Sequence, residues 1–342
     1  RIIRIKVGET MAITLRPAGI VGISSYLPAK KLTNADLEKI VDTSDEWIRS
    51  RTGISERRIT SPEEAASDLG TGAVLKVLET TGISPSEVDL IIVPTATPDM
   101  LFPSTACIIQ NNIGAKNAAA FDISAGCTGF IYALAAANQF VAAGMYDTAL
   151  VVAAETLTKL VNWEDRNTCV LFGDGAGAVV IRPVKEGEGF LSFDLGADGS
   201  GGDLLSLPAG GSRKPATVET VKSKEHCIHM AGNEVFKFAV KIMGETAVSA
   251  LEKAGLSKED VDYLVPHQAN TRIIDAAVKR LGISPDKVYV NLDKYGNMSS
   301  ASIPVALDEA VRDGCIKKGD LVVLVGFGAG LTWGSCVIRW SI

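Results

Sequence analysis

The sequence predicts an α/β fold made of two halves that repeat one strand–helix plan. Three observations carry that expectation. Strand-like apolar runs alternate with helical patterns along the whole chain. Two segments of the first half return, in the same order, in the second. Gly82-Ile-Ser-Pro-Ser-Glu-Val-Asp-Leu-Ile-Ile-Val-Pro94 is echoed by Gly255-Leu-Ser-Lys-Glu-Asp-Val-Asp-Tyr-Leu-Val-Pro266, and Phe172-Gly-Asp-Gly-Ala-Gly177 by Val325-Gly-Phe-Gly-Ala-Gly330. The length of 342 residues leaves room for about two domains or one large duplicated one. The competing reading is chance likeness between two helix–strand units.

Residues 1–11 are set aside as a non-native or flexible extension. The stretch before Met11, read as the natural start, lacks the apolar core and cleavage pattern of a signal peptide. The first half is placed at 12–185 and the second at 186–342. In the first, 18–24 reads as a strand. Ser61-Pro-Glu-Glu64 offers a cap, a proline and a carboxylate in the order that starts a helix, which then runs to about Thr81 before Gly82. Residues 88–93 and 119–123 are buried-strand runs with a helix at 104–113 between them. The Ala-rich stretch 128–143 is a buried helix, too short and too interrupted by Asn138 and Gln139 to span a bilayer. Strands follow at 148–154 and 176–181. The Gly-rich stretch 185–215 reads as a loose connection and the best place for a boundary. The second half then gives a strand at 261–265, a helix at 271–281, a strand at 288–290 and a terminal strand within 331–340.

Composition excludes several classes. At 46% apolar and 22% charged the chain is globular, and a net charge of −6 argues against nucleic acid as the main partner. Six cysteines, at 107, 127, 169, 227, 315 and 336, include no CxxC pair and suit reduced cytosolic thiols. Neither Gly-Ala-Gly segment has the strand–GxGxxG–helix order of a dinucleotide site.

Cys127 stands where a strand breaks at Gly126 and a helix begins. The positive end of the helix dipole and free backbone N–H groups favour a thiolate there; a small buried cysteine that merely packs is the alternative. Of three histidines, His226 and His229 flank Cys227 without a second ligand cluster and read as an ordinary pair. His267 follows its own strand directly, and Asn297 falls in the loop that duplication matches to the Cys127 loop. All three lie past strand C-termini, where open α/β sheets place their sites. A lone histidine after a strand is more often structural, but its place opposite the cysteine loop favours catalysis. Helix 271–281 carries Arg272, Lys279 and Arg280 on one flank, and Lys237 and Lys241 could extend it. The stripe is either a solvated face or a surface for an anionic partner.

Four motifs together bear a resemblance. They are Asp122-Ile-Ser-Ala-Gly-Cys-Thr-Gly-Phe130, Pro266-His-Gln-Ala-Asn-Thr-Arg-Ile273, Tyr295-Gly-Asn-Met-Ser-Ser-Ala-Ser-Ile-Pro304 and Gly326-Phe-Gly-Ala-Gly-Leu-Thr-Trp-Gly334. With Asp45-Glu-Trp-Ile-Arg-Ser-Arg-Thr-Gly-Ile54, the chain from Met11 onward resembles the β-ketoacyl-acyl carrier protein synthase III family. The resemblance implies a thiolase-like fold of two duplicated halves, layered αβαβα, in a cytoplasmic homodimer. It implies a Cys127–His267–Asn297 triad that takes an acyl group from coenzyme A onto Cys127. Malonyl-acyl carrier protein is then decarboxylated and condensed onto that group, as the first step of type II fatty acid synthesis. Backbone N–H groups of Cys127 and Ala329 would form the oxyanion hole, and Phe327 would border the malonyl carboxylate. Coenzyme A would stack its adenine between Trp47 and Arg166 and run past Arg51 and Asn270. Arg272, Lys237, Lys279 and Arg280 would face the acidic carrier protein, and Phe102 would close the acyl pocket of the dimer mate. No metal and no cofactor is expected, since the coenzyme A thioester is a substrate; nor is a membrane or nucleic-acid partner. One departure is Ala329, which stands where many members carry a middle glycine.

Several relatives are separated by their residues. Elongating ketosynthases use Cys–His–His, and only His267 is suitably placed here. Thiolases use a second cysteine, and neither Cys315 nor Cys336 has the glycine-flanked setting for it. A non-catalytic carrier-binding homologue would lack the triad, and a nicotinamide-dependent dehydrogenase would need a nucleotide motif that is missing. Starter-unit and polyketide-type ketosynthases of secondary metabolism share Cys–His–Asn and remain the main alternative.

Overall fold

The computed structural model describes residues 4–7, 10–13 and 15–342. Within the expected extension, Arg4–Val7 and Thr10–Ile13 pair as an antiparallel hairpin, and the remainder of residues 1–11 lies outside the described residues.

The first half contributes strand β1 (Ala18–Tyr26), helices α1 (Asp45–Thr52) and α2 (Ala66–Thr81), β2 (Leu90–Pro94), α3 (Thr105–Asn112), β3 (Ala119–Ile123), α4 (Gly129–Ala142), β4 (Ala149–Thr156) and β5 (Asp174–Pro183). The second contributes β6 (Gly189–Ala197), α5 (Gly232–Lys253), β7 (Tyr263–Pro266), α6 (Thr271–Leu281), α7 (Ser302–Arg312), β8 (Leu321–Gly328) and β9 (Thr332–Arg339). The two sheets have matching orders, β1–β5–β4–β2–β3 and β6–β9–β8–β7. Their pairings match too: β2 is parallel to β4 as β7 is to β8, whereas β4–β5 and β8–β9 are antiparallel.

Strand alternation explains why five layers result. Leu90 and Ile92 of β2 face a central core with Phe130, Leu134 and Val141 of α4 and Ile303, Val305 and Leu307 of α7. Ile91 and Val93, pointing the other way, pack under α2 and α3. Val322 and Leu324 of β8 join the central core, and Val323 and Val325 face α5 and α6. Helices α4 and α7 therefore lie between the sheets, with α2–α3 and α5–α6 outside: the αβαβα arrangement. Strands apolar on both faces read as the continuous runs seen in the sequence. Among the described residues no helix is long and apolar enough to cross a membrane.

Four expectations need correcting. Helix α2 starts at Ala66, not near Ser61: Glu64 closes a turn onto the Ser61 N–H (2.8 Å), and Asp68 caps the true start through the Ala65 N–H (2.8 Å). The stretch taken as a loose connection contains β6, a full strand against β9. Its register shifts between Phe190 and Ser192, which breaks the alternation that would have revealed it. The strand expected at 288–290 is a single bridge, Leu264 to Val288. Residues 119–123, expected as a buried strand, form the edge strand β3, in which no residue is buried.

Candidate active site

Cys127 lies in a short turn, Gly126–Thr128, between β3 and α4. Two glycines let the halves close on it. Gly126 has φ +54°, and a Cβ there would come within 2.8 Å of the Ala329 nitrogen; one on Gly328 would come within 2.5 Å of the Cys127 nitrogen. The backbone N–H groups of Cys127 and Ala329, one from each half, are thereby brought close together. Ala329 opens the turn between β8 and β9.

His267 follows β7 and is buried; its backbone N–H donates to the Val325 carbonyl at 2.8 Å. Its Nδ1 lies 2.6 Å from the Ser302 Oγ at the start of α7, and its ring meets the edge of Phe327 at 5.6 Å between centroids. Burial pushes the imidazole down to about 3, so it is neutral near pH 7. Asn297 is pinned to the first half, its N–H on the Leu171 carbonyl (2.8 Å) and its carbonyl accepting from the Gly173 N–H (3.0 Å). Its side-chain oxygen accepts the Ser299 N–H at 2.8 Å, which leaves the amide NH₂ group for the cavity. Ser299 holds a left-handed backbone, φ +47°, to make that bond.

Cys127, His267, Asn297 and Phe327 line one cavity of about 450 Å³, which also reaches Trp47, Arg51, Asn270 and Arg272. A second cavity, of about 120 Å³, begins at Cys127 and Ala329 and is walled by Leu157, Leu160, Phe172, Leu205, Leu207 and Ile228. The sulfur thus faces a long cleft on one side and a small apolar chamber on the other.

Helix position leads one to expect a thiolate, but here burial pushes the Cys127 thiol up to about 12. Hydrogen bonds from Ser299 and the cysteine's own N–H act against that shift, and the neighbouring Glu155 carboxyl reinforces it. Desolvation outweighs the helix terminus because Cys127 is only 8% exposed. Glu155 is buried at the end of β4, where it accepts from the Ala96 N–H (3.1 Å), Thr97 Oγ1 (2.8 Å) and Ser300 Oγ (2.6 Å). Sequence reasoning passed over Glu155, Ser299 and Ser302. An acid closing the apolar run 149–154, and serines at 299, 300 and 302 beside Asn297, were the available signals.

At the cleft mouth the guanidinium groups of Arg51 and Arg166 both cover the Trp47 ring, at 5.1 and 5.2 Å. The Asn270 side chain is already engaged: it caps α6 through the Arg272 N–H and donates to the Arg51 carbonyl, both at 2.9 Å. Lys237, Lys241, Arg272, Lys279 and Arg280 are exposed; Arg272 stacks on Phe236 at 5.5 Å, and Arg280 pairs with Glu245 at 3.1 Å. Phe102 is not at the cavity of its own chain; it is 84% exposed, beside Leu101 at 78%.

A buried cysteine, a neutral histidine and an asparagine amide, meeting at the seam of two duplicated halves, fit a thiolase-like condensing enzyme, an acyltransferase. Sequence comparison makes the assignment specific. Residues 121–199 match the family model for 3-oxoacyl-[acyl-carrier-protein] synthase III, and residues 251–340 match that for its C-terminal part. The chain is 63% identical over 323 residues to beta-ketoacyl-[acyl-carrier-protein] synthase III of Desulfitobacterium hafniense, covering 94% of this chain and 98% of that one. It is 64% identical over 324 residues to the protein of the same name from Caldanaerobacter subterraneus, covering 95% and 98%. The crystal structure of 3-oxoacyl-[acyl-carrier-protein] synthase III from Aquifex aeolicus superposes with a TM-score of 0.88 at 48% identity, covering 94% of this chain and 100% of that one. The priming β-ketosynthase of the R1128 polyketide pathway superposes with a TM-score of 0.90 at 36% identity, covering 98% and 99%. The chain belongs to the 3-oxoacyl-[acyl-carrier-protein] synthase III family.

Proposed function

We propose that this enzyme initiates type II fatty acid synthesis by condensing a coenzyme A-borne acyl group with malonyl-acyl carrier protein. The observation that carries the reading is the single cleft joining Cys127, His267 and Asn297 to the aromatic and basic mouth at Trp47, Arg51 and Arg272. Cys127 Sγ attacks the acyl thioester carbonyl, the N–H groups of Cys127 and Ala329 hold the oxyanion, and coenzyme A leaves carrying the thiol proton. The acyl chain then occupies the small apolar chamber. Malonyl-acyl carrier protein loses CO₂ beside Phe327. His267 and Asn297 donate hydrogen bonds to the enolate oxygen, and the carbanion attacks the acyl-cysteine. Cys127 leaves as thiolate and is reprotonated, giving 3-oxoacyl-acyl carrier protein. No resident metal or cofactor enters these steps.

Coenzyme A stacks its adenine at Trp47 by inserting where Arg166 now covers the ring, and its pantetheine runs past Arg51 and Asn270. The carrier protein, an acidic partner, docks on Lys237, Arg272, Lys279 and Arg280. A homodimer accounts for two features: the edge of β3, unpaired among the described residues and with Phe121 exposed, and the exposed Leu101 and Phe102, which close the acyl chamber of the mate. Six free thiols and these substrates suit the cytoplasm. A priming role in polyketide synthesis is the second reading, favoured by the likeness to the R1128 ketosynthase. The test supplies straight and branched acyl-coenzyme A primers with malonyl groups on fatty-acid and polyketide carrier proteins. Condensation on the fatty-acid carrier is expected; turnover confined to the polyketide carrier would move the enzyme to the second reading.

A further inference from the structure

A neutral imidazole carries one N–H, so its tautomer decides whether His267 can donate into the cleft at all. The contacts around Nδ1 bear directly on that choice. Ser302 Oγ lies 2.6 Å from Nδ1 and has one hydrogen to give. The buried Gln268 N–H donates to the same oxygen, at 3.3 Å, and takes one of its two acceptor sites. Among the described residues no carbonyl or carboxylate accepts from the Ser302 hydroxyl, which leaves Nδ1 as the acceptor for its hydrogen. The ring cannot easily swing away. Its backbone is tied to Val325, and Phe327 meets its edge.

We propose that Ser302 is a positioning residue: its hydroxyl donates to His267 Nδ1, holds the proton of the imidazole on Nε2 and so keeps His267 a donor toward the enolate. One short segment then orients both donors, since the Ser299 N–H turns the Asn297 amide and the Ser302 hydroxyl, three residues on, sets the histidine tautomer. The importance of this for turnover rests on the condensing reading above; the tautomer itself does not.

The test has two arms. In protein labelled with ¹⁵N-histidine, NMR of the wild type is expected to show His267 protonated on Nε2 and bare on Nδ1; a protonated Nδ1 overturns the proposal. In partial reactions, Ser302→Ala is expected to acylate Cys127 at the wild-type rate. Its kcat for malonyl decarboxylation and condensation falls about 10²-fold with KM unchanged, as for loss of one preorganised donor. Ser302→Thr, which keeps the hydroxyl, restores most of that rate. Condensation by Ser302→Ala at the wild-type rate overturns the proposal. A wild type that condenses no primer defeats the condensing reading instead, and the NMR arm, which needs no variant to fold, still decides the tautomer.

Discussion

The two halves share a plan and differ where chemistry and recognition occur. In the first, β3 pairs with β2 over five residues, from Leu90–Ala119 to Pro94–Ile123, and leads into the Cys127 turn. In the second, the equivalent strand is one bridge at Val288, and the freed chain becomes the loop that carries Asn297. The outer helices diverge as well. α3, Thr-Ala-Cys-Ile-Ile-Gln-Asn-Asn, has no charge, whereas its counterpart α6 bears Arg272, Lys279 and Arg280 beside the cleft mouth. Two frames of one plan thus diverge, with Cys127, the proposed nucleophile, and Asn297, a proposed enolate donor, at matching positions, and His267 after the strand that corresponds to β2.

The strongest way to break that division is to separate the half-reactions. Cys127→Ala is expected to lose acylation altogether. His267→Ala and Asn297→Ala keep it, while condensation slows about 10²–10³-fold for each donor removed. Intact-mass measurement after incubation with acyl-coenzyme A reads the first step, and release of CO₂ the second. A full adduct on Cys127→Ala would remove the nucleophile from the first half. A failure of either donor variant to acylate would mean that the halves do not divide the work.

Burial drives both titratable members toward neutrality, one from each half. A thiol pushed from 9.0 to about 12 holds about 10³-fold less thiolate at neutral pH, so iodoacetamide should label Cys127 about that much more slowly than an ordinary thiol. The labelling rate should still be climbing at about pH 10. His267, pushed down to about 3, stays unprotonated as pH rises through the range where histidines usually titrate, so condensation should show no histidine inflection between about pH 5 and 8. A labelling curve that levels off near pH 7 would instead reveal a thiolate–imidazolium pair across the seam.

The helix divergence gives a smaller effect. Reversing charge on α6 and α5 with Lys279→Glu and Lys237→Glu is expected to raise the KM for malonyl-acyl carrier protein about tenfold. That corresponds to about 1.4 kcal/mol, and added salt should shrink the difference. Asn111→Glu, which adds a negative charge on an exposed position of α3, should leave KM alone. Equal effects on both helices would point to net charge rather than to a docking face.

What could be read in the sequence follows from how local each signal is. The bounds of β3 and α6 are legible to the residue because an apolar run and a 3.6-residue stripe depend on neighbours in the chain, but the run does not tell that β3 lies at the sheet edge, unburied. β6 is hidden by its bulge, and Val-Tyr-Val at 288–290 has strand propensity although the fold gives it one bridge. The triad was legible as residue types after strand ends, aided by the family resemblance. The state of the thiol was not, since desolvation depends on packing from the second half. Ser302, 35 residues from His267, acts through a contact that only the fold creates.

The seam itself offers the finest test. Gly126 and Gly314 both hold left-handed backbone, at φ +54° and +71°, but only Gly126 faces the other half. Gly314→Ala meets nothing within 4 Å, so it should cost only the conformational penalty, about 1–2 kcal/mol. Gly126→Ala carries that penalty and also drives a Cβ to within 2.8 Å of the Ala329 nitrogen. Thermal denaturation should therefore place it below Gly314→Ala, and it alone should slow acylation, because the displaced N–H is half of the proposed oxyanion hole. Equal melting temperatures with equal acylation rates would mean that the two halves do not need this close contact to build the site.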